Sequence, residues 1–554
     1  MYDFAIKRRA IYSLHQDDPM KNDTVLLEQI VTPEKHSFIR KKENLKGTIW
    51  KLQADAVVIG SGAGGSVAAA ELSAHGWKVI LIEEGSFFNS ENFPEDEFHA
   101  LSSMYRDGGV IFEEKGQASI LQGRTLGGST TINWQASLYP EDHVTNEWRE
   151  KFGLSGFTQK ENALFIKQVH ERLNVHTVPE SLRNENNNIL FRGSQSLSVK
   201  PESLKNNSKG CIGLGRCGLG CPINAKQSTF LTYIPDAISK GATIITNMRA
   251  TEIVDGKTKK VKAEFSPHRF KKTPSDIFEK LEISAQVVIV SAGAIESPAL
   301  LLRSNLGNGL VGRHLKLHPT QTIFARFTRE VKMYEGVPQS IVVKSPLPGI
   351  NGHNFWIEAA PYRLSLATSL IPFFGKAQFE TLKNYKNLQA GIVLARDGAD
   401  GPVDSSVEWK FGRRRVHYQL SRSDAQNMLL GLKTLAEVQT AAGATELVFP
   451  FRRFTRPVSV KRGDDFSWIL SESPDTFFAV GSAHPHGSIQ ASDDMAKGAI
   501  DGNFELYGHK NIFVMDASVF PTALGVNPQI TTMSVIMNRA RALASLNHRD
   551  SKKL

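Results

Sequence analysis

The stretch Ala54-Asp55-Ala56-Val57-Val58-Ile59-Gly60-Ser61-Gly62-Ala63-Gly64-Gly65 decides the fold, together with Trp77-Lys78-Val79-Ile80-Leu81-Ile82-Glu83 just beyond it. Residues 54–59 are a short apolar run, the pattern of a strand buried on both faces. Residues 67–73 favour helix and stop before Gly76, and residues 77–82 read as a second buried strand. Together they predict a βαβ unit of about thirty residues. Its glycine-rich turn contains G-x-G-x-x-G. Gly60 permits the tight turn, Gly62 lets backbone approach a pyrophosphate, and Gly65 lets the helix close on the strand. The helix N-terminus offers unpaired N–H groups to phosphate oxygens. Glu83, ending the second strand, can accept from ribose hydroxyls. The unit predicts a dinucleotide site and leaves open whether FAD or NAD fills it.

Around this unit the chain runs to 554 residues, too long for one simple core, so two domains are expected. With 41% hydrophobic and 22% charged residues it has the composition of a soluble globular protein. Its net charge of +10 is modest for the length and is gathered in clusters at 257–262, 413–415 and 452–462. Such runs are usually solvated faces, and peripheral contact with an anionic membrane is the alternative. No nucleic-acid motif accompanies them. The 3 cysteines cannot build a disulfide framework, which suits a reducing, cytoplasmic setting. No run approaches the roughly 18 apolar residues of a spanning helix. The start resembles a twin-arginine signal but lacks an apolar region, and Lys552-Lys553-Leu554 only approximates a peroxisomal address.

Along the chain, residues 1–53 are polar and read as an N-terminal arm. Residues 155–210 are Asn-rich and read as a surface excursion or lid, with one helix at 162–173. Residues 287–291 repeat the buried-strand signal, followed by Gly293 and a helix over 297–303. Further on, Val407, Trp409 and Phe411 alternate, Gly412 offers a turn, and Val416, Tyr418 and Leu420 alternate again. That pattern predicts an antiparallel hairpin with one wet face. A helix over 424–442 follows, with Ser423 as N-cap and Gly443 as C-cap. The fold class is therefore α/β, α+β overall: a Rossmann-like domain with an inserted antiparallel-sheet domain. The expected division is 54–140, 205–320 and 476–554 for the nucleotide domain, and 141–204 with 321–475 for the substrate domain and lid.

Near the end stand His484-Pro485-His486-Gly487 and Asp516-Ala517-Ser518-Val519-Phe520-Pro521-Thr522-Ala523-Leu524-Gly525-Val526-Asn527-Pro528. Imidazole can take a proton near neutral pH, and a carboxamide can donate a hydrogen bond without titrating. His484 and Asn527 could thus converge on one substrate oxygen. His486 is the competing histidine, and Asn527 could instead shape a turn before Pro528.

Adding Gly123-Arg124-Thr125-Leu126-Gly127-Gly128-Ser129-Thr130-Thr131-Ile132-Asn133, Ser291-Ala292-Gly293-Ala294-Ile295-Glu296-Ser297-Pro298 and Val311-Gly312-Arg313-His314-Leu315, the chain resembles the glucose–methanol–choline (GMC) oxidoreductases, nearest to long-chain alcohol oxidase and cholesterol oxidase-like members. The resemblance runs from about 54 to 545 and implies FAD as the dinucleotide. It implies that Arg124, Gly127, Gly128, Ser129 and Asn133 lie along the flavin, that backbone at Ala250 meets the adenine, and that Asp516 and Ala517 flank the ribityl–phosphate region. Some members attach FAD through a histidine where this chain has Ile132, so non-covalent FAD is expected. The resemblance makes His484 the base that takes the hydroxyl proton while hydride passes to flavin N5, and Asn527 its hydrogen-bonding partner.

All three cysteines fall in Cys211-Ile212-Gly213-Leu214-Gly215-Arg216-Cys217-Gly218-Leu219-Gly220-Cys221. Three thiolates in a glycine-rich loop could hold an iron–sulfur cluster, as in flavin subunits of bacterial sugar dehydrogenases of this family, or simply fill a tight loop. Residues 225–229 continue the likeness to long-chain alcohol oxidases. The expectation is a FAD-dependent alcohol oxidoreductase whose acceptor is O₂, a quinone or a protein carrier. Electron export through a cluster and a non-redox lyase are the alternatives. Ile371-Pro372-Phe373-Phe374 and residues 225–229 favour a bulky or long-chain alcohol or a sterol.

Overall fold

The computed structural model describes residues 30–31, 49–266, 279–345, 349, 352–400 and 405–550. Of the expected N-terminal arm, most lies outside the described residues, as do both chain ends. Ile30–Val31 adds an edge strand to the nucleotide sheet. The first long strand begins at Ile49, five residues earlier than the apolar run indicated, because Lys51 and Gln53 project outward while Trp50 is buried.

Two sheets organise the chain. The first runs Ile30–Val31, Thr243–Ile245, Val79–Ile82, Ile49–Ile59, Lys280–Val290, Lys259–Phe265, Met248–Val254, with Ile512–Val514 also pairing with Lys280–Val290. Its central pairings are parallel, and the two strands beyond Lys280–Val290 are antiparallel. The Ala63–Ala74 helix is covered by Gln529–Asp550, where Arg541 pairs with Glu71 through two bonds of 2.9 Å. The second sheet is mainly antiparallel and centres on Thr320–Arg326, Leu388–Ala395 and Phe355–Ala359. Ile111–Phe112, Ala118–Ile120 and Val480–Ser482 also belong to it. The long Arg422–Ala441 helix packs across this sheet and buries Met428, Leu429, Leu432, Leu435 and Ala436, the expected stripe.

Several local expectations shift. The N-cap of that helix is Ser421, which accepts from Asp424 N–H at 3.0 Å, whereas the Ser423 hydroxyl is engaged by Asp400. The hairpin forms from Ser406–Lys410 and Arg413–His417, but Phe411 sits in the turn at positive φ and is 90% exposed. Its arginines are ion-paired: Arg414 with Glu296 and Asp107, Arg413 and Arg415 with Glu114. In the 257–262 cluster, Lys259, Lys260 and Lys262 pair with Asp255, Glu282 and Glu252.

The Asn-rich segment is no surface excursion. It folds into the Ala163–Arg172 and Glu185–Ser196 helices, and Asn162, Asn186, Asn187, Asn206 and Asn207 are buried. Asn186 bridges Ala360 O and Ala390 N, tying two strands of the second sheet to the helix. Asn187 Oδ1 accepts from Ser340 N at 2.9 Å and Ile341 N at 3.2 Å. Polar side chains read as solvent-facing are here the partners of buried backbone.

Asn187→Ala strands two buried N–H groups and should cost about 2–4 kcal/mol. Asn188→Ala, which removes one 3.3 Å bond from a half-buried side chain, should cost less than about 1 kcal/mol. Thermal unfolding midpoints of the two variants check the difference; equal midpoints would remove the bracing role.

Candidate active site

The glycine-rich turn lies where three strand ends meet. A Cβ on Gly60 (φ +102°) would stand 2.3 Å from Ser291 O, on Gly64 1.9 Å from Met515 O, and on Gly65 2.0 Å from Gly60 O. Gly62 differs. A Cβ there would meet nothing within 4 Å, because the position faces a large cavity. The Ala63–Ala74 helix starts at Gly62 without a side-chain cap, so its first N–H groups face that cavity. This is the cradle a pyrophosphate requires, and the residues present fit FAD there.

Ser61 and Glu83 hold the turn's geometry. Glu83 accepts from Ser61 N at 3.0 Å, Ser61 Oγ at 2.6 Å and Gly85 N at 2.8 Å. Burial raises its pKa, and those donors offset part of the rise. Ser61 Oγ also accepts from Gly127 N at 2.9 Å, which draws the 127–133 segment over the turn; a Cβ on Gly128 would reach Gly62 Cα at 2.8 Å.

The cavity, about 360 Å³, is in the range of small-molecule sites (~300–1,000 Å³). It brings together Gly60, Gly62, Glu83, Gly128, Ser129, Asn133, Ala250, Asp516, Ala517, His484 and Asn527. Gly65, Arg124 and Gly127 are not on its wall. Gly65 packs helix on turn, and Arg124 pairs with Glu84 at 3.1 Å. The Ala250 carbonyl is taken by Arg303. Asp516 accepts from Gly293 N at 2.8 Å, Ser297 Oγ at 2.5 Å and Ser518 N at 2.8 Å, which locks the C-terminal segment onto the Gly293–Arg303 helix.

At one end of the cavity Glu84 lies among Arg106, Arg124 and Arg249. Burial alone would raise its pKa, but these guanidiniums hold it down to about 2. At the other end stand His484 and Asn527, with Asn527 Nδ2 3.5 Å from His484 Nε2. Burial, and secondarily His486, lower the His484 pKa to about 3, so the ring is neutral at physiological pH. Among the described residues, Nδ1 of His484 has no hydrogen-bond partner. The protein therefore leaves the tautomer to be fixed by what meets Nε2.

His486, the competing histidine, does not line the cavity. It is fully buried, and its Nδ1 contacts His484 O at 2.7 Å. Its neighbour His318 was not singled out from sequence. The His318 ring packs edge-on to both histidines, 4.6 Å from His486 and 5.6 Å from His484 between centroids. Its Nε2 accepts from Gly525 N at 2.9 Å. The backbone bond from Gly487 N to Ala517 O at 3.1 Å adds a second tie between the two loops.

Glu358 and Gln339 were also missed. Glu358 is fully buried on the cavity wall, with Gln339 Nε2 donating at 2.6 Å. Burial pushes its carboxyl up to about 7, partly offset by the Asn527 and Gln339 amides. The signal was an acid inside the apolar strand Phe355-Trp356-Ile357-Glu358-Ala359. Gln529 is the fourth omission: it accepts from Asn133 Nδ2 at 2.8 Å and donates to Ala136 O at 3.0 Å.

The cysteine loop packs behind the 131–135 segment. Buried Lys226 Nζ donates to the carbonyls of Thr131, Asn133 and Cys217 at 2.7, 3.0 and 2.7 Å. Cys217 accepts from Gln135 Nε2 at 3.0 Å, and burial pushes its thiol up to about 12. Among the described residues, the three sulfurs do not gather within 4.8 Å of one another, whereas ligand atoms of His318, Asp397 and His486 do.

Comparison with known proteins bears on the whole arrangement. The family model described as GMC oxidoreductase matches residues 101–320 in its N-terminal part and 399–535 in its C-terminal part, and a FAD binding domain model matches 55–93. A long-chain-alcohol oxidase of Arabidopsis thaliana is 29% identical, over 96% of this chain and 71% of its own length. Among solved structures, a formate oxidase variant of Aspergillus oryzae superposes with a TM-score of 0.67 at 15% identity, covering 90% of this chain and 99% of that one. A pyridoxine 4-oxidase from Mesorbium loti gives 0.65 at 17%, covering 89% and 99%. The two structures show the shared fold.

Gly62 separates fold from cofactor. Gly62→Val should leave the protein folded but weaken FAD retention roughly a hundredfold or more, ~3 kcal/mol, because the side chain projects only into the cavity. Gly64→Val, which collides with Met515 backbone, should instead fail to fold. Far-UV circular dichroism and the flavin absorption of the purified variants check both; a Gly62→Val protein with full flavin content would displace the cofactor from this cradle.

Proposed function

Because the chain belongs to the GMC oxidoreductase family of FAD-dependent enzymes acting on CH–OH donors, we propose that it oxidises a bulky or long-chain alcohol with His484 as proton acceptor. The observation that carries this reading is the 3.5 Å between His484 Nε2 and Asn527 Nδ2 at the cavity wall. Two nitrogens so spaced can each lie about 2.8–3.0 Å from one oxygen set between them.

FAD, held without a covalent bond, would supply the redox chemistry as the acceptor of the hydride. Ile132, buried at the wall where some relatives carry a linking histidine, offers no atom for a covalent bond. Backbone at Gly60–Gly65, the uncapped helix start and Glu83 would hold the dinucleotide, with Asp516 and Ala517 beside it.

His484, neutral at physiological pH, takes the hydroxyl proton at Nε2. Its pKa of about 3 is set by burial in the unliganded cavity, and negative charge arriving there raises it. Asn527 Nδ2 donates to the same oxygen as alkoxide character develops, an effect on the order of 3 kcal/mol. Glu358, near enough to Asn527 for that amide to lower its pKa, lies on the same wall. His318 fixes the two loops on which the pair stands.

Leu366, Leu370, Ile392 and Leu394 give the cavity apolar walls, which supports a hydrocarbon-bearing alcohol over a sugar. The relative named a long-chain-alcohol oxidase supports the same substrate class and O₂ as acceptor. A reducing, cytoplasmic setting is supported by the few and unpaired cysteines.

His484→Ala should lower the rate of flavin reduction by about 10²–10⁴-fold with FAD content unchanged, and Asn527→Ala by about 10²-fold. Stopped-flow reduction by a saturating alcohol measures both. Reduction at the wild-type rate in His484→Ala would remove the base assignment.

A further inference from the structure

Lys226 is a buried cation to which the proposed chemistry gives no part. It is 2% exposed and is not on the cavity wall; it stands behind residues 132–136, which are. Its Nζ is met by three carbonyls, Thr131 O at 2.7 Å, Asn133 O at 3.0 Å and Cys217 O at 2.7 Å. An ammonium has three donors and no acceptor, so this cage matches the charged form in full. Burial draws the Lys226 pKa down to about 8, which leaves the ammonium in place at neutral pH. Among the described residues it joins no ion pair, and the titratable groups that act on it are Cys217 and Cys221. The Cys217 thiol, pushed up to about 12 by burial, is itself neutral.

A buried charge without a counter-ion is costly, and hydrogen bonding alone does not call for one here. Neutral amides serve the same segment: Gln529 Nε2 donates to Ala136 O at 3.0 Å, and Gln135 Nε2 donates to Cys217 Sγ at 3.0 Å. The segment Lys226 holds also borders the chemical end of the cavity, because Asn133 Nδ2 donates to Gln529 at 2.8 Å, just beyond Asn527. On the proposed reading, the alcohol gives its hydroxyl proton to His484 while its C–H bond breaks and hydride leaves with both electrons. A carbonyl product remains, and the acceptor against this wall gains one negative charge. Lys226 sets a fixed positive charge behind that wall, in a buried setting where charges act strongly on one another.

We propose that the Lys226 ammonium is the positive charge that offsets the negative charge the flavin gains on accepting hydride, and so raises the cofactor's reduction potential. Lys226 is a positioning residue: it touches neither alcohol nor cofactor and acts through the 131–135 backbone and across it. The inference rests on the proposed reading that the hydride acceptor lies against residues 132–136.

The test is a reductive titration, against a dye of known potential and without alcohol, of wild-type, Lys226→Gln, Lys226→Arg and Cys217→Ala holoenzymes. Lys226→Gln, which keeps a neutral donor, should disfavour flavin reduction at least about tenfold, a fall of about 30 mV for a two-electron couple. Lys226→Arg, which keeps the charge, should retain the wild-type value, and so should Cys217→Ala. Sulfite, an anion that adds to flavin and leaves negative charge on the ring, should bind Lys226→Gln at least about tenfold more weakly than wild type. Unchanged potential and sulfite affinity in Lys226→Gln overturn the inference. A wild-type potential no higher than that of free FAD overturns it without any variant. A Cys217→Ala potential that rises as far as that of Lys226→Gln falls also overturns it, since a thiolate would then be the partner of the ammonium. Because no arm uses alcohol, an enzyme that shows the expected shifts yet bleaches with no alcohol refutes the substrate reading and leaves the role of Lys226 intact.

Discussion

Backbone packs against backbone where Gly60, Gly64 and Gly65 meet Ser291, Met515 and one another. Any side chain at Gly60 or Gly64 would overlap a neighbouring carbonyl. The seam these glycines close is also where the ends of Ile49–Ile59, Lys280–Val290 and Ile512–Val514 come together. Ser291 Oγ donates to Met515 O at 2.6 Å across it, and Asp516 continues it through Gly293 and Ser297. Three segments from distant parts of the chain thus share one junction. Everything downstream of Asp516, including Asn527, is aimed from there.

The active pair depends on this junction at one remove. His484 arrives from the second sheet, following Val480–Ser482, and Asn527 arrives from the nucleotide domain. Their side chains meet because Gly487 bonds to Ala517 and Gly525 bonds to His318. The chemical end of the cavity is therefore held by polar ties, which keep the geometry around the proton acceptor fixed.

Much of this was legible in the sequence because it is written in local patterns. The βαβ unit shows in residues 54–83, where apolar runs, glycines and Glu83 fall in order, and each glycine occupies a position its spacing requires. The domain of GMC type was legible from motifs that stand together in this cavity. What was not legible has a common cause: it lies in single polar residues whose partners are hundreds of positions away. Asn186 and Asn187 looked like surface chain and are buried braces. His318, Gln339 and Gln529 carry no local mark at all. Glu358 did carry one, an acid within an apolar strand, where a charge is tolerated only for a reason. Ser421 and Ser423 compete for one helix cap, and the outcome turns on Asp400, which engages Ser423. Phe411 fits the strand alternation but lies in the turn, because the last strand pair is Lys410 with Arg413 and the turn takes both Phe411 and Gly412, one residue earlier than the alternation implies.

The central claim is that the cavity holds a FAD whose reduction is driven by an alcohol held at His484 and Asn527. Anaerobic titration of the yellow holoenzyme with a long-chain primary alcohol addresses it in one cuvette. The account predicts that the visible flavin absorption bleaches stoichiometrically and returns on admitting air. A protein that retains its FAD yet stays yellow with primary, secondary and sterol alcohols alike would contradict it.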